Sequence, residues 1–271
     1  MLGIVQGRLS FAGKKLQTFP KNPFQEFGIA SKIGYDFIEF FSERNVNKKN
    51  PIWSIKGINK YIEVAKLNKI KIYSFCDDYV INHSLASLKT TSMALKTIER
   101  LQRLNIKKYI LPLYEKSLIN SKNKYKIYKN LSIIAKNCEE NKIELLLESN
   151  MTPKQFNEVK KNISSKNCFF LFDSGNRITL KRNFALDIEL FGKNIKHIHL
   201  KDKNIYKKNV IVGKGSVDFE LLFSTLKKIK YKGSFAIESQ RGTDIEAQAK
   251  KNYLFFKNLM KKYKINSRNG S

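Results

Sequence analysis

Phe169-Phe170-Leu171-Phe172-Asp173 is an apolar run that stops on a carboxylate. Three other segments follow the same plan: Leu145-Leu146-Leu147-Glu148, His197-Ile198-His199 and Phe235-Ala236-Ile237-Glu238. Each run reads as a buried strand with a side chain able to bind a metal at or near its C-terminal tip. Helix-like sequence separates one segment from the next. A parallel β/α barrel needs that order, because its mouth is built from the C-terminal ends of successive strands.

Working outward from these four strands, the same alternation reaches back to the N-terminus. Strands are expected over residues 2–8, 36–41, 70–75 and 108–113, with helices over 23–33 and 56–67 between them. Residues 76–79 read as a polar loop. Ala94, Ile98 and Leu101 share one helical face, and Ile127, Leu131, Ile134, Ala135 and Cys138 form a stripe on the next helix. Thr152-Pro153-Lys154-Gln155 has the marks of a helix start: a Thr cap, Pro at the first position and Gln three residues after the cap. Asp218 is expected to cap a helix carrying Phe219, Leu222, Phe223, Leu226 and Ile229, and the last helix aligns Ala249, Tyr253, Phe256 and Met260. Eight strand-helix units with short connections give an α/β fold, a single (β/α)8 TIM barrel over residues 1–264. Its active site is expected at the C-terminal ends of strands five to eight. An open doubly wound sheet is disfavoured, since no Gly-rich turn follows the first strand. Residues 265–271 read as a disordered basic tail.

The chain has 271 residues, close to the about 250 of a typical single barrel. Its hydrophobic content of 42% argues against disorder. No apolar run approaches the ~20 residues of a membrane helix, and the N-terminus lacks the plan of a signal peptide. Cys76, Cys138 and Cys168 are isolated in apolar surroundings and read as core residues of a cytoplasmic protein. The formal charge of +29 raises nucleic acid or an anionic membrane as partners. Lys, however, far outnumbers Arg and is spread through every expected helix, with Asn and Ile also plentiful, as an AT-rich coding bias gives. Most lysines therefore read as solvated helix faces. The expectation is no nucleic acid and no membrane. The surplus could still draw in an anionic substrate.

Glu148, Asp173, His199 and Glu238 would make a site rich in oxygen with one nitrogen. That set suits Mn2+ first, with Mg2+, Co2+ or Zn2+ as alternatives, and not a closed structural zinc site. A single carboxylate at a strand end is as often a helix cap or an ion-pair partner, but four ligand types on four successive strands point to a shared ion. His197 and His199 lie two apart on one strand and face the same way. His199 is nearer the rim and takes the metal; His197 reads as a hydrogen-bonded core histidine. Glu39, on the second strand, reads as an internal structural carboxylate, with support of a metal ligand as the alternative.

The stretch His199-Leu200-Lys201-Asp202, followed by Val212-Gly213-Lys214-Gly215-Ser216-Val217-Asp218-Phe219 and Ala236-Ile237-Glu238, resembles the xylose-isomerase-like barrels. These include sugar and sugar-phosphate isomerases and epimerases. The match looks best with the L-ribulose-5-phosphate 3-epimerase branch, where His-x-Lys-Asp, Gly-x-Gly-x-Val-Asp-Phe and Ile-Glu occur in this order. Phe172-Asp173-Ser174-Gly175-Asn176 and the opening Gly3-Ile4-Val5-Gln6-Gly7-Arg8-Leu9 are similar too. The resemblance implies one divalent ion held by Glu148, Asp173, His199 and Glu238. It also implies that Glu148 and Glu238 exchange protons with a small-molecule sugar or sugar phosphate. By the same resemblance Asn176 falls where these enzymes place a substrate contact. Arg8, Lys214 and Arg241 are further candidates for an anionic group, with structural roles as their alternatives. Lys214 departs from the branch, which tends to carry an acidic residue there.

Three other functions share the fold. A dehydratase acting on a keto-inositol or related sugar would use the same ion and carboxylates, since both reactions begin with proton removal next to a carbonyl. An abasic-site endonuclease would give the charge a purpose, but that family's three-zinc cluster needs many histidines and this chain has three. A barrel that only binds ligands would not need the complete four-residue set. Homo-oligomerisation is left open.

Overall fold

A computed structural model of the protein describes residues 1–11, 13, 16–180 and 182–265. In chain order the strands are β1 (Leu2–Val5), β2 (Phe37–Ser42), β3 (Lys71–Asp77), β4 (Lys108–Pro112), β5 (Glu144–Glu148), β6 (Cys168–Asp173), β7 (Ile195–Leu200), β8 (Asp202–Lys203), β9 (Asn209–Val210) and β10 (Ser234–Ile237). The helices are α1 (Gln25–Ile33), α2 (Ile55–Asn68), α3 (Tyr79–Asn82), α4 (Leu88–Gln102), α5 (Lys124–Glu140), α6 (Pro153–Ile163), α7 (Ser174–Ile178), α8 (Phe184–Phe191), α9 (Phe219–Lys228) and α10 (Ile245–Lys262). Strands β1 to β7 pair in sequence, β10 follows β7, and β10 closes back onto β1. The result is the expected (β/α)8 barrel. The pair β8–β9 is a small antiparallel ribbon outside it. No described helix is long and apolar enough to cross a membrane.

Contacts within the chain group into two compact units. One comprises residues 1–39, 68–71 and the chain from Leu171 onward; the other comprises 40–67 and 72–170. In the first, β10 lies between β7 and β1, with Ala236 opposite His199 and Gly3 opposite Ala236. Its helices are held by aromatic packing: Phe223 of α9 stacks on Phe235 of β10 at 5.5 Å, and Phe256 of α10 meets Phe219 edge-on at 5.0 Å. Both Phe223 and Phe256 are fully buried. Burying a ring of this size is worth about 1.5–3 kcal/mol.

In the second unit, β4 pairs with β3 and β5, and Pro112 lies opposite Glu148 at the C-terminal end. The stripe expected on α5 is the buried one, from Ile127 to Cys138. Thr152 caps α6 as its sequence promises: Thr152 Oγ1 accepts from the Gln155 N–H at 3.2 Å, and Gln155 Oε1 accepts from the Thr152 N–H at 2.8 Å. Asp218 likewise caps α9 in the first unit.

Two boundaries differ from expectation. Strand β1 ends at Val5, because the Gly7 N–H turns away to the buried Glu26 carboxylate, at 3.0 and 2.8 Å from its two oxygens. Strand β3 runs on through Asp77, and residues 79–82 form the short helix α3 instead of a loop. Val80 and Ile81 provide the reason, since both turn inward and are buried. Cys76, Cys138 and Cys168 are all buried thiols, and burial pushes the Cys168 thiol up to about 12. Ile265 is buried, and the rest of the expected tail, residues 266–271, lies outside the described residues.

The capping box is the part of this fold most cleanly tested. Thr152→Ala should lower the unfolding free energy by about 1 kcal/mol. Urea denaturation followed by circular dichroism measures this, and an unshifted midpoint would show that the cap contributes nothing.

Candidate active site

Alternation along β7 sets His197 and His199 on one face and carries on to Lys201, just past the strand. All three are buried. Glu39 of β2 binds both imidazoles: the His197 Nε2–H donates to Oε2 at 2.9 Å and the His199 Nε2–H to Oε1 at 2.7 Å. His197 Nδ1 faces the Ser234 hydroxyl at 2.7 Å. Burial alone would raise the pKa of Glu39, but the two histidines outweigh it and hold the carboxyl well below the usual range. His197 is thus the hydrogen-bonded core histidine expected from its depth, and Glu39 pairs with both rings. Glu39, His197 and His199 also offer ligand atoms within 4.8 Å of one another, a grouping compact enough for a metal ion.

Above them, at the strand tips, three sequence-predicted residues come together. His199 Nδ1 lies 3.2 Å from Glu238 Oε2. The Lys201 ammonium sits between the other two, 2.8 Å from Asp173 Oδ2 and 2.8 Å from Glu238 Oε2. Arg8 approaches Glu238 Oε1 at 3.7 Å. Burial would raise the Glu238 pKa, yet Lys201, His199 and Arg8 hold it far below the usual carboxylate range. For His199, burial lowers the pKa but Glu39 and Glu238 outweigh it, so the ring is pushed well up. Asp173 has a second task. Its Oδ1 accepts the Asn176 N–H at 2.7 Å as the cap of α7, and its Oδ2 accepts from Asn176 Nδ2 at 3.1 Å.

The donor set fits a hard divalent ion. Glu39 accepts a hydrogen bond from the His199 Nε2–H and so fixes the ring with Nδ1 toward Glu238, the carboxylate–histidine arrangement that supports metal ligands. The two carboxylates already share one cation, the ammonium of Lys201. Oxygen ligands with one imidazole suit Mn2+ or Mg2+. Glu148 belongs to the other compact unit. It is buried at the end of β5, where the Tyr114 hydroxyl donates to its Oε1 at 3.2 Å.

The proposed substrate residues divide into two groups. Arg8 and Arg241 staple the segment after β1: Arg8 Nη1 donates to the Leu16 carbonyl at 2.5 Å, and Arg241 donates to Gly7 at 2.6 Å and Leu16 at 3.1 Å. Burial lowers the pKa of the Arg241 guanidinium, with Glu26 opposing. Lys214 is exposed on a loop that faces inward to Asp202. The Asp202 carboxylate accepts from the N–H groups of Gly213, Gly215 and Val217 at 2.9, 2.9 and 3.2 Å. A Cβ at position 215 would lie 2.1 Å from Asp202 Oδ1, so glycine is required there. The Gly213 and Gly215 amides thus serve Asp202, the Lys214 N–H donates to the Ile211 carbonyl at 3.0 Å, and the Lys214 side chain is exposed.

Residues 27–259 match the family model described as the xylose isomerase-like TIM barrel. The chain belongs to this family. A sequence relative, an uncharacterized protein of Methanocaldococcus jannaschii, is 30% identical over 128 residues; that match spans under half of either protein, 43% of this chain and 44% of the relative. Solved structures share the fold over nearly the whole chain. One titled L-ribulose 3-epimerase has a TM-score of 0.78 at 17% identity and covers 100% of this chain and 99% of its own. D-psicose 3-epimerase from Clostridium cellulolyticum H10, solved with D-tagatose, has a TM-score of 0.76 at 16% identity, covering 95% and 98%. A 3-keto-D-glucoside 4-epimerase from E. coli gives 0.71 at 16% identity, covering 94% and 97%.

Lys201 is the site residue whose role was not read from the sequence. The signal was there: positions 197, 199 and 201 share one face by the period of two, so a basic residue beside two acids was implied. Asp202 was also unassigned, and its loop offers a direct test. Asp202→Ala should speed amide exchange across residues 213–217 at least tenfold, because three N–H groups lose a charged acceptor. Hydrogen–deuterium exchange with mass spectrometry reads this, and unchanged protection would mean that the carboxylate does not hold the loop.

Proposed function

We propose that this protein is a divalent-metal-dependent isomerase of sugars or sugar phosphates, of the epimerase kind, acting by proton transfer next to a ketose carbonyl. The observation that carries the proposal is the cluster at the rim. Asp173 and Glu238 share the Lys201 ammonium, and His199 faces Glu238 with its ring oriented by the buried Glu39 carboxylate. The names of the structural neighbours given above, all sugar epimerases, support the same reading. We assign the ion, Mn2+ first, to Glu148, Asp173, His199 and Glu238. Glu148 enters on its place at the tip of β5, the strand next to β6 in the barrel order, and on the family resemblance.

When bound, a divalent ion polarises the ketose carbonyl and stabilises the charge of the enediolate. Proton movement falls to the chain's own carboxylates. Glu238 is kept ionised by Lys201, His199 and Arg8, so its carboxylate is open to a proton, although it is a weak base while those cations sit on it. Glu148, supported by the Tyr114 hydroxyl, serves the other face of the substrate. Removal on one face and return on the other inverts the carbon; return to the adjacent carbon gives aldose–ketose isomerisation. Asn176 is placed beside Asp173 to contact substrate, with Arg8, Arg241 and Lys214 as the cationic groups nearest to a role in binding an anionic one. Our proposal locates the enzyme in the cytoplasm, consistent with its buried, reduced thiols.

The nucleic-acid alternative needs more imidazoles than the chain can offer. His197 is committed to Glu39 and Ser234, and His83 stacks on Tyr79 at 3.9 Å and pairs with Asn45.

Incubation with a panel of ketoses and ketose phosphates in D2O, followed by NMR, tests the reaction. Deuterium at C3 is expected; uptake at C1 or C2 would make the enzyme an aldose–ketose isomerase, and loss of water would make it a dehydratase. Glu148→Gln should reduce exchange by about 10²–10⁴-fold with the fold intact, and wild-type exchange in that variant would refute its role. Metal analysis after reconstitution should find one divalent ion per chain, and none would remove the mechanism.

A further inference from the structure

We propose that the Lys201 ammonium is the resident counter-ion of Asp173 and Glu238, and that a divalent ion takes these carboxylates only by displacing it. This rests on the divalent-ion reading of the site and adds a competitor that the chain itself supplies. The ammonium lies 2.8 Å from Asp173 Oδ2 and 2.8 Å from Glu238 Oε2, and its side chain is only 8% exposed. The Glu238 oxygen it touches is also the one facing His199 Nδ1, so Lys201 is aimed at the atoms an ion would need.

The seat is built to receive it. The Lys201 N–H donates to Ser174 Oγ at 3.0 Å, and the Ser174 hydroxyl donates back to the Lys201 carbonyl at 2.6 Å, so the main chain is fixed. The stem runs over Gly175, where a Cβ would come within 3.0 Å of Lys201 Cγ and 3.2 Å of its Cβ. A side chain at 175 would push the stem off this path. Only the four-carbon stem has to move for the ammonium to leave.

Displacement follows from charge. Two carboxylates buried together need a cation nearby, which one ammonium supplies. A small divalent ion binds carboxylate oxygens at about 2.0–2.2 Å, inside the distance the ammonium holds, and brings twice its charge to the same oxygens. The two cations repel at that separation in a poorly screened site. Lysine regains its hydration and rotamer freedom when it swings out. Ion binding and exposure of the Lys201 amine then become one event.

Two measurements on the full chain test this. Mn2+ titration, with the free aquo ion counted by electron paramagnetic resonance, should show K201M binding at least tenfold more tightly than wild type. Acylation by an N-hydroxysuccinimide ester, mapped by mass spectrometry on wild-type protein, should label Lys201 at least tenfold faster with saturating Mn2+; this arm decides the matter if K201M does not fold. Equal or weaker binding by a folded K201M overturns the proposal, as does unchanged labelling of wild type that has bound Mn2+. Either result leaves the metal-dependent reading standing. Mn2+ binding by K201M alone upholds the competition and refutes metal dependence of the natural chain, and binding by neither variant overturns both.

Discussion

The burial of Glu39, Asp173 and Glu238 in one part of the barrel is the constraint from which the site follows. A carboxylate out of water is costly unless charge and hydrogen bonds meet it from the protein side. Each is met differently. Glu39 accepts from two imidazoles, Asp173 from Lys201 and the start of α7, and Glu238 from Lys201 with His199 and Arg8 nearby. The partners come from β7, the residue just past it, the start of α7 and the segment after β1, so satisfying three acids fixes several strand ends at once. The same arrangement accounts for the opposite shifts of His199 and Glu238: each holds the other in its charged form.

Acid side chains are scarce in this protein, 23 against 52 Lys and Arg, and the buried ones do structural work where strands give way to loops. Glu26 gathers the N–H groups of Gly7 and Leu9 with the Ser10 hydroxyl; burial raises its pKa, and those donors oppose the rise. Asp202 gathers three amides of the loop after β9. Other acids sit on the outside in pairs such as Lys60–Glu63 and Lys262–Glu220, both well exposed. Exposed pairs of this kind are worth little, so the large positive charge acts as a solvated coat and the fold is set from within.

Much of this was legible in the sequence where one local rule decides the outcome. Apolar runs ending on Glu148, Asp173 and Glu238 gave their strands because a buried parallel strand needs nothing but continuous hydrophobicity. Thr152 and Asp218 gave their caps because a cap is chosen within three residues. What escaped depends on partners far along the chain. Gly7 stops β1 because Glu26, nineteen residues later, claims its N–H. Residues 79–82 wind into a helix because Val80 and Ile81 find a core that no neighbour in sequence announces. Lys201 was hidden by abundance: its alignment with His197 and His199 sets it apart from the other basic residues only once two acids are seen beside it.

The choice of cation at each acid separates permanent structure from exchangeable charge. Arg8 reaches Glu238 only at 3.7 Å and is held by the Leu16 carbonyl and Gln17, so its planar guanidinium is locked into the segment after β1. It offsets charge without occupying the place of a ligand. Lys201 does the reverse: its ammonium is a compact point charge on a flexible stem, placed on the ligand oxygens themselves. An arginine at 201 would grip the two carboxylates through several fixed donors and could not be displaced by rotation of a stem. A lysine keeps the acids paired in the absence of an ion, and under the displacement proposed above its stem lets it yield them to a stronger cation.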